Sequence, residues 1–227
     1  LTLNKGDLKR MDIDIDEKIN VTIELDNLMT EVNIDKSDYK DIITYYKSYR
    51  WKDAQDRCIN ILESIFTRRS IRNFTGELVN GKEIETIIKA GCYAPSAENK
   101  QPWHYIVIKS SEMLNKISKT HPRAKMLPKA GCCIVVCGDK EIETQVGFLI
   151  EDCSASIQNM MLAAHGLGLG SIWCGLYPIT SFTKPIKKLL ELPQNIIPVG
   201  MIAIGYADKE NEIKYRYDKR KIHTEKW

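Results

Sequence analysis

No run of apolar residues in this 227-residue chain approaches the length of a membrane-spanning helix. The longest, residues 196–204, is less than half of the ~20 residues that a bilayer requires. The amino-terminal stretch lacks the basic, apolar, small-residue order of a secretory signal, which predicts a cytoplasmic protein with no membrane partner. Excess charge of one sign is also missing: 33 basic against 30 acidic residues leave a formal net charge of +3, so a dedicated nucleic-acid binder is not expected. The basic tail 214–226 is interrupted by acidic and apolar residues and does not change that. Cys-x-x-Cys spacing is absent. The seven cysteines sit in apolar stretches such as Cys132, Cys133 and Cys137 and read as reduced packing residues, with no metal implied. His104, His121, His165 and His223 are too scattered to form a ligand set. Neither Gly-x-Ser-x-Gly nor His-Glu-x-x-His occurs, so no protein nucleophile or zinc site is announced. Gly166, Gly168 and Gly170 lack the Gly-x-Gly-x-x-Gly spacing and follow a helical pattern, which makes them a helix stop and not a dinucleotide-binding turn.

What is present is an ordinary globular composition, 43% hydrophobic and 28% charged, long enough for one large domain with an appendage. Met11, Ile13, Ile15, Ile19, Val21, Ile23 and Leu25 share one parity, the period of strands. After Ser37 the apolar spacing turns helical. Residues 1–52 thus form an N-terminal extension, strands followed by helix, and 53–227 form the main domain. There Cys58, Ile61, Leu62, Ile65 and Phe66 make one apolar helical stripe that delivers the chain to Arg68. Asn80 with Glu83 is a capping box for a helix ending at Gly91, and Ser110 or Ser111 caps a short helix through Ile117. Strands are expected at 103–108, 132–137 and 171–174, with an apolar run at 196–206. A long buried helix should fill 144–165, and a small helix should begin at Pro185 as its first residue. This alternation predicts an α+β layered domain whose sheet is flanked by helices.

Two segments could carry chemistry. Residues 67–74, TRRSIRNF, place Arg68, Arg69, Ser70 and Arg72 within five positions. Guanidinium forks and a hydroxyl suit a phosphate, although the cluster alone also fits a solvated basic turn. Residues 94–103, APSAENKQPW, set Ser96, Asn99 and Gln101 between two prolines. Such a stiff polar loop can read the edge of a flat heterocycle, or can equally satisfy its own backbone.

Taken in order with QNMMLAAHGLGLGSIWCG and IAIGYADKENEIKYR, these segments resemble the FMN-dependent nitroreductase family over about residues 56–227. The resemblance implies a three-layer α/β/α sandwich with a mixed sheet, and an intertwined homodimer with FMN at the interface. It implies that Arg68, Arg69, Ser70 and Arg72 meet the phosphate, ribityl chain and ring, with Arg72 at the pyrimidine edge. Pro95, Ser96 and Ala97 would come from the second subunit, framed by Asn99 and Gln101. Gly175 and Leu176 would approach flavin nitrogen 5, and Lys214 and Arg216 would lie near the phosphate. The implied activity is transfer of hydride from NAD(P)H, a transient donor, to a small-molecule nitroaromatic, quinone or similar conjugated acceptor by a ping-pong mechanism. Arg72 is the residue expected to tune the flavin, because a cation there stabilises the negative charge of reduced FMN. Alternatives are a related flavin activity, such as reductive dehalogenation or flavin fragmentation, and a non-catalytic FMN redox sensor or binding module.

Overall fold

The computed structural model describes residues 61–209 and 216–227. The chain divides into two units, Leu1–Cys58 and Ile59–Trp227, and everything described belongs to the second. The strands expected in 1–36, the helical stretch after Ser37, the 52/53 boundary and Lys214 lie outside the described residues.

The centre is a four-stranded sheet built from β1 (Trp103–Ile108), β2 (Cys132–Asp139), β3 (Gly170–Gly175) and β4 (Ile196–Gly205), in the order β1-β2-β4-β3. All three ladders are antiparallel, with Tyr105 opposite Val136, Ile134 opposite Ile202, and Ile172 opposite Ala203. Among the described residues the parallel component is one bridge, Ser70 to Ser171, on the outer edge of β3. β2 reads as an unbroken apolar run because it has a neighbour on each side and a layer of helices on each face.

Successive residues point to opposite faces, and that sorts the core into two layers. Cys132, Ile134 and Val136 join Ile202 and Ile204 beneath α2 (Gly81–Cys92) and α4 (Val146–Gly166). Cys133, Val135 and Cys137 join Met201 and Ala203 against α3 (Ser111–Ser118) and α5 (Thr180–Leu189). The result is an α/β/α sandwich. Each large apolar side chain removed from water there contributes about 1.5–3 kcal/mol. No helix among the described residues is long and apolar enough to cross a membrane.

Helix ends follow their local chemistry. Asn80 Oδ1 accepts from the amides of Lys82 and Glu83, and the Glu83 carboxylate accepts from the Asn80 amide, completing the capping box. Ser110 Oγ accepts from the Met113 amide. α4 ends where Gly168 takes φ +77°, with Leu169 N–H bonded to Ala164 O at 2.8 Å and Gly168 N–H to His165 O at 2.9 Å. Only a residue without a Cβ adopts that backbone cheaply.

Two details differ from the sequence reading. Pro185 sits inside α5, which starts at Thr180 with Phe182 and Thr183 bonded to the Ile179 carbonyl. The amphipathic face formed by Phe182, Ile186 and Leu189 holds the helix together across the proline's missing N–H. In α1 (Ile61–Thr67), Ser64 is buried, while Ile61, Ile65 and Phe66 are 66%, 47% and 66% exposed.

Candidate cofactor site

The arginine segment leaves α1 and runs beside β3. Ile71 N–H donates to Ser171 O at 3.0 Å, and Ile71 itself is buried. Gly170 makes this approach possible, since a Cβ there would lie 2.8 Å from Ile71 Cγ1. The parallel pairing orders the cations along the strand. Arg68 comes near His165 at the end of α4, whereas Arg72 comes near Cys174 at the end of β3. At about 3.3 Å per residue, their backbone positions stand roughly 13 Å apart.

The Arg68 end is crowded with positive charge. Burial lowers the Arg68 pKa, and Arg216 and Arg69 lower it further, which places Arg216 in the same cluster although it is far along the chain. Arg68 Nη1 is buried with no hydrogen-bond partner among the described residues. A guanidinium N–H without an acceptor is costly, so this atom calls for an anion. Arg69 Nη1 donates to Phe66 O at 2.8 Å and Arg68 O at 2.7 Å, which ties it to the end of α1. Thr67 Oγ1 donates to Glu63 O at 2.6 Å and lies 2.8 Å from His165 Nε2, which is therefore its hydrogen donor. Burial, then Arg68 and Arg69, hold His165 below its ordinary pKa. Sequence reasoning assigned His165 no role, because nothing in the helix pattern shows that its end meets Arg68.

At the Arg72 end, the turn after β3 is fixed by a bulge. β2 and β4 shift register between Val136 and Cys137, so that Pro198, which has no N–H, faces Cys137, and Val199 falls between paired positions. The Val199 carbonyl then accepts from both Leu176 and Tyr177 at 3.1 Å. Leu176 is fully buried and anchors the turn. Gly175 is exposed, and a Cβ there would meet no protein atom within 4 Å. His121, 4% exposed, braces the same turn. Its Nδ1 accepts from Arg123 N–H at 3.1 Å, so Nε2 carries the proton and donates to Gly175 O at 3.0 Å. Burial is the main cause of its lowered pKa, with Arg123 acting in the same direction and the Gly175 bond opposing. Arg72 opens onto a cavity of about 590 Å³ that Arg123, Lys125, Lys129 and Asp208 also line.

The polar loop is organised separately. Pro95 is exposed at its start. Ala97 N–H donates to Asp152 Oδ1 at 2.9 Å, Gln101 N–H to Ser96 Oγ at 3.0 Å, and Gln101 Nε2 to Asn99 Oδ1 at 3.0 Å. Lys100 Nζ bonds Glu143 and Glu98 at 3.0 Å each. Glu98, Asn99 and Gln101 adopt φ of +52°, +55° and +50°. Each such residue costs on the order of 1–3 kcal/mol, a strain found mainly where a loop serves a ligand. This loop leads into β1, at the opposite edge of the sheet from the arginine segment beside β3. Three strand spacings separate those edges by about 14 Å. One chain therefore does not unite the two predicted groups.

The buried thiols take no part. Burial pushes Cys132, Cys137 and Cys153 up to about 12 and Cys174 to about 11, keeping all four protonated at neutral pH.

The fold and this row of cations beside β3 define an α+β protein with a cationic sheet edge suited to an anionic ligand. The nitroreductase family model matches residues 65–120 and 115–206, and the chain belongs to the nitroreductase family. It is 40% identical over 175 residues to a Methanothermobacter thermautotrophicus protein provisionally named NADH dehydrogenase/NAD(P)H nitroreductase, covering 77% of this chain and 92% of that protein. A crystal structure from Parabacteroides distasonis bearing the same provisional name superposes with a TM-score of 0.71 at 34% identity, covering 74% of this chain and 98% of the other. An FMN-dependent nitroreductase of Clostridium difficile superposes with a TM-score of 0.68 at 29% identity, covering 73% and 99%.

Proposed function

We propose that the protein is an FMN-dependent oxidoreductase that takes hydride from NAD(P)H and passes it to a nitroaromatic, quinone or similar conjugated acceptor by a ping-pong mechanism. The observation that carries this reading is the ordered cation row along β3, with the unpartnered Nη1 of Arg68 at one end and the open face of Gly175 at the other. A terminal phosphate fits the first and a flat ring the second. In this reading Arg68, Arg69, Ser70, Arg216 and Lys214 hold the phosphate and ribityl end, while Arg72 stands at the pyrimidine edge.

When bound, FMN supplies the two-electron redox chemistry. Arg72 would lower the energy of negative charge at the ring's pyrimidine side, because a cation beside developing charge stabilises it electrostatically. The turn held by Val199 and His121 would present the backbone of Gly175 and Leu176 to the ring. The exposed Gly175 face would leave room for NAD(P)H and acceptor in turn, as a ping-pong order requires.

A homodimer completes the site. Loop 95–101 of a second copy supplies Pro95, Ser96, Ala97, Asn99 and Gln101, which the first copy holds at the far edge of its own sheet. The exposed Ile61, Ile65 and Phe66 offer apolar surface for that association. Purified protein should carry flavin absorbance, sediment as a dimer and oxidise NAD(P)H with parallel-line kinetics against a quinone. Colourless protein that binds no added FMN and oxidises no nicotinamide refutes the reading.

A further inference from the structure

The family reading leaves the choice of nicotinamide open, and one segment that it does not use bears on that choice. Between Glu112 and Asp139 the chain has no acidic residue but carries Lys116, Lys119, Arg123, Lys125 and Lys129. In a chain with nearly balanced charge, 26 consecutive residues without a carboxylate make a strongly one-signed stretch.

The fold holds this stretch beside the ring end of the cofactor site. Arg123 is pinned through its backbone, because its N–H donates to His121 Nδ1 at 3.1 Å and its carbonyl accepts from Cys174 Sγ at 3.4 Å. His121 in turn bonds Gly175 O. These bonds leave the Arg123 side chain free to project into solvent. Among the described residues, the 590 Å³ cavity sets Arg72, Arg123, Lys125 and Lys129 against a single carboxylate, Asp208. A second cavity of about 570 Å³, lined by Lys119, His121 and Lys125, shares Pro122 and Lys125 with the first. The basic surface therefore extends from Arg72 well past the space a small acceptor needs.

We infer that segment 118–129 is a phosphate-binding arm for the donor dinucleotide, with Arg123, Lys125 and Lys129 receiving its pyrophosphate and 2′-phosphate, so that NADPH is preferred over NADH. The inference rests on the proposed function for placing the nicotinamide beside Arg72. A dinucleotide has the length to reach from there across both cavities. Its 2′-phosphate adds nearly two negative charges that NADH lacks, and exposed cations, Arg123 with its forked guanidinium and Lys125 and Lys129 as point charges, discriminate on that difference. The contacts are open to solvent, so the preference weakens as salt rises.

Two measurements decide it. Steady-state kinetics should give a kcat/KM for NADPH at least about tenfold above that for NADH at low ionic strength, narrowing with added salt. In Arg123→Ala/Lys125→Ala the ratio should fall to within about threefold of unity, and in Lys125→Glu it should fall further. Calorimetry with adenosine 2′,5′-bisphosphate against adenosine 5′-monophosphate reads the same contacts without turnover: the wild type should bind the bisphosphate at least about tenfold more tightly, and the double variant should not. Equal binding of the two nucleotides by the wild type, or a preference that survives the double substitution, overturns the inference. Loss of flavin binding with a preserved bisphosphate preference would instead refute the proposed function and leave the arm standing.

Discussion

Replacing Arg68 with Met separates a ligand-binding cation from a structural one, because the two roles predict opposite signs. Methionine keeps most of the length and apolar stem of the side chain while removing the guanidinium. Without FMN, Arg68 holds a buried N–H with no acceptor among the described residues and is repelled by Arg69 and Arg216. An orphaned donor costs about 1–3 kcal/mol, and solvent screening of a half-exposed group keeps the relief near the lower end, about 1 kcal/mol. The apoprotein melting temperature should thus stay level or rise by about 2–4 °C. With FMN the sign reverses. A hydrogen bond to a charged group contributes about 1.5–3 kcal/mol, and at ~1.4 kcal/mol per decade the FMN Kd should rise roughly ten- to hundredfold. Flavin-fluorescence titration and paired melts with and without FMN measure both quantities. An Arg68→Met protein that melts several degrees lower without FMN yet binds FMN with unchanged affinity would refute the anion-site reasoning.

Arg72→Met should slow flavin reduction by NAD(P)H more than it weakens FMN retention, since the proposed site puts Arg72 at the ring end and not the phosphate end; stopped-flow reduction against the FMN Kd reads this, and the reverse order contradicts it. Gly170→Ala drives a Cβ to 2.8 Å from Ile71 Cγ1 and should cost about 1–3 kcal/mol, with FMN affinity falling alongside. Gly147→Ala, on α4 with nothing within 4 Å of the new Cβ, should stabilise by about 0.5–1 kcal/mol in the same denaturation assay. His121 is held neutral in the folded chain, so the unfolded chain takes up its proton first as pH falls. Its contribution to stability is complete above the ordinary imidazole value of about 6.5 and is lost as pH drops from there toward the lowered folded value. Melting temperature should therefore fall between about pH 7 and pH 5, less steeply in His121→Asn, and an identical slope in the variant would contradict the assignment.

Helix ends and buried strands were legible in the sequence because their causes are local. The Asn80–Glu83 capping box, the Ser110 cap and the Gly168 stop each need only residues within one turn. Continuous apolarity marked β2 for the same reason: a strand covered on both faces has no use for polar positions. Pro185 misled because its preference for a first turn is weaker than the packing of Phe182, Ile186 and Leu189, which prolongs the helix on both sides of it. Periodicity grouped Ile61, Ile65 and Phe66 on one stripe but could not say what covers that stripe, since a spacing rule does not know whether the covering atoms belong to the same chain. Nor could it bring His121 to Gly175, or His165 to Arg68. Those meetings depend on strand order, which no local pattern encodes.

In loop 95–101 a self-satisfied turn and a ring-reading loop are compatible arrangements. Its backbone and side chains do satisfy one another, and that is what orients what is left over. Because Gln101 Nε2 donates to Asn99 Oδ1, the Asn99 amide must present its two Nδ2 hydrogens outward, and Gln101 must present its Oε1. Ser96 Oγ and Asp152 Oδ1 occupy backbone donors that would otherwise compete for those groups. The exposed edge is thus a fixed pairing of donors and an acceptor, which on the proposed function would meet the alternating carbonyl and N–H groups of a pyrimidine ring. A loop that needed the ligand to order it would lose binding energy to that ordering. Here the three left-handed residues have already met the cost in the folded chain, with Lys100, Glu98 and Glu143 bracing them. Such strain brings this chain no benefit at its own arginine row, which lies at the far edge of the sheet. On the proposed function, it becomes useful when the loop faces a second copy's cofactor, which would make dimerisation and cofactor recognition one design problem.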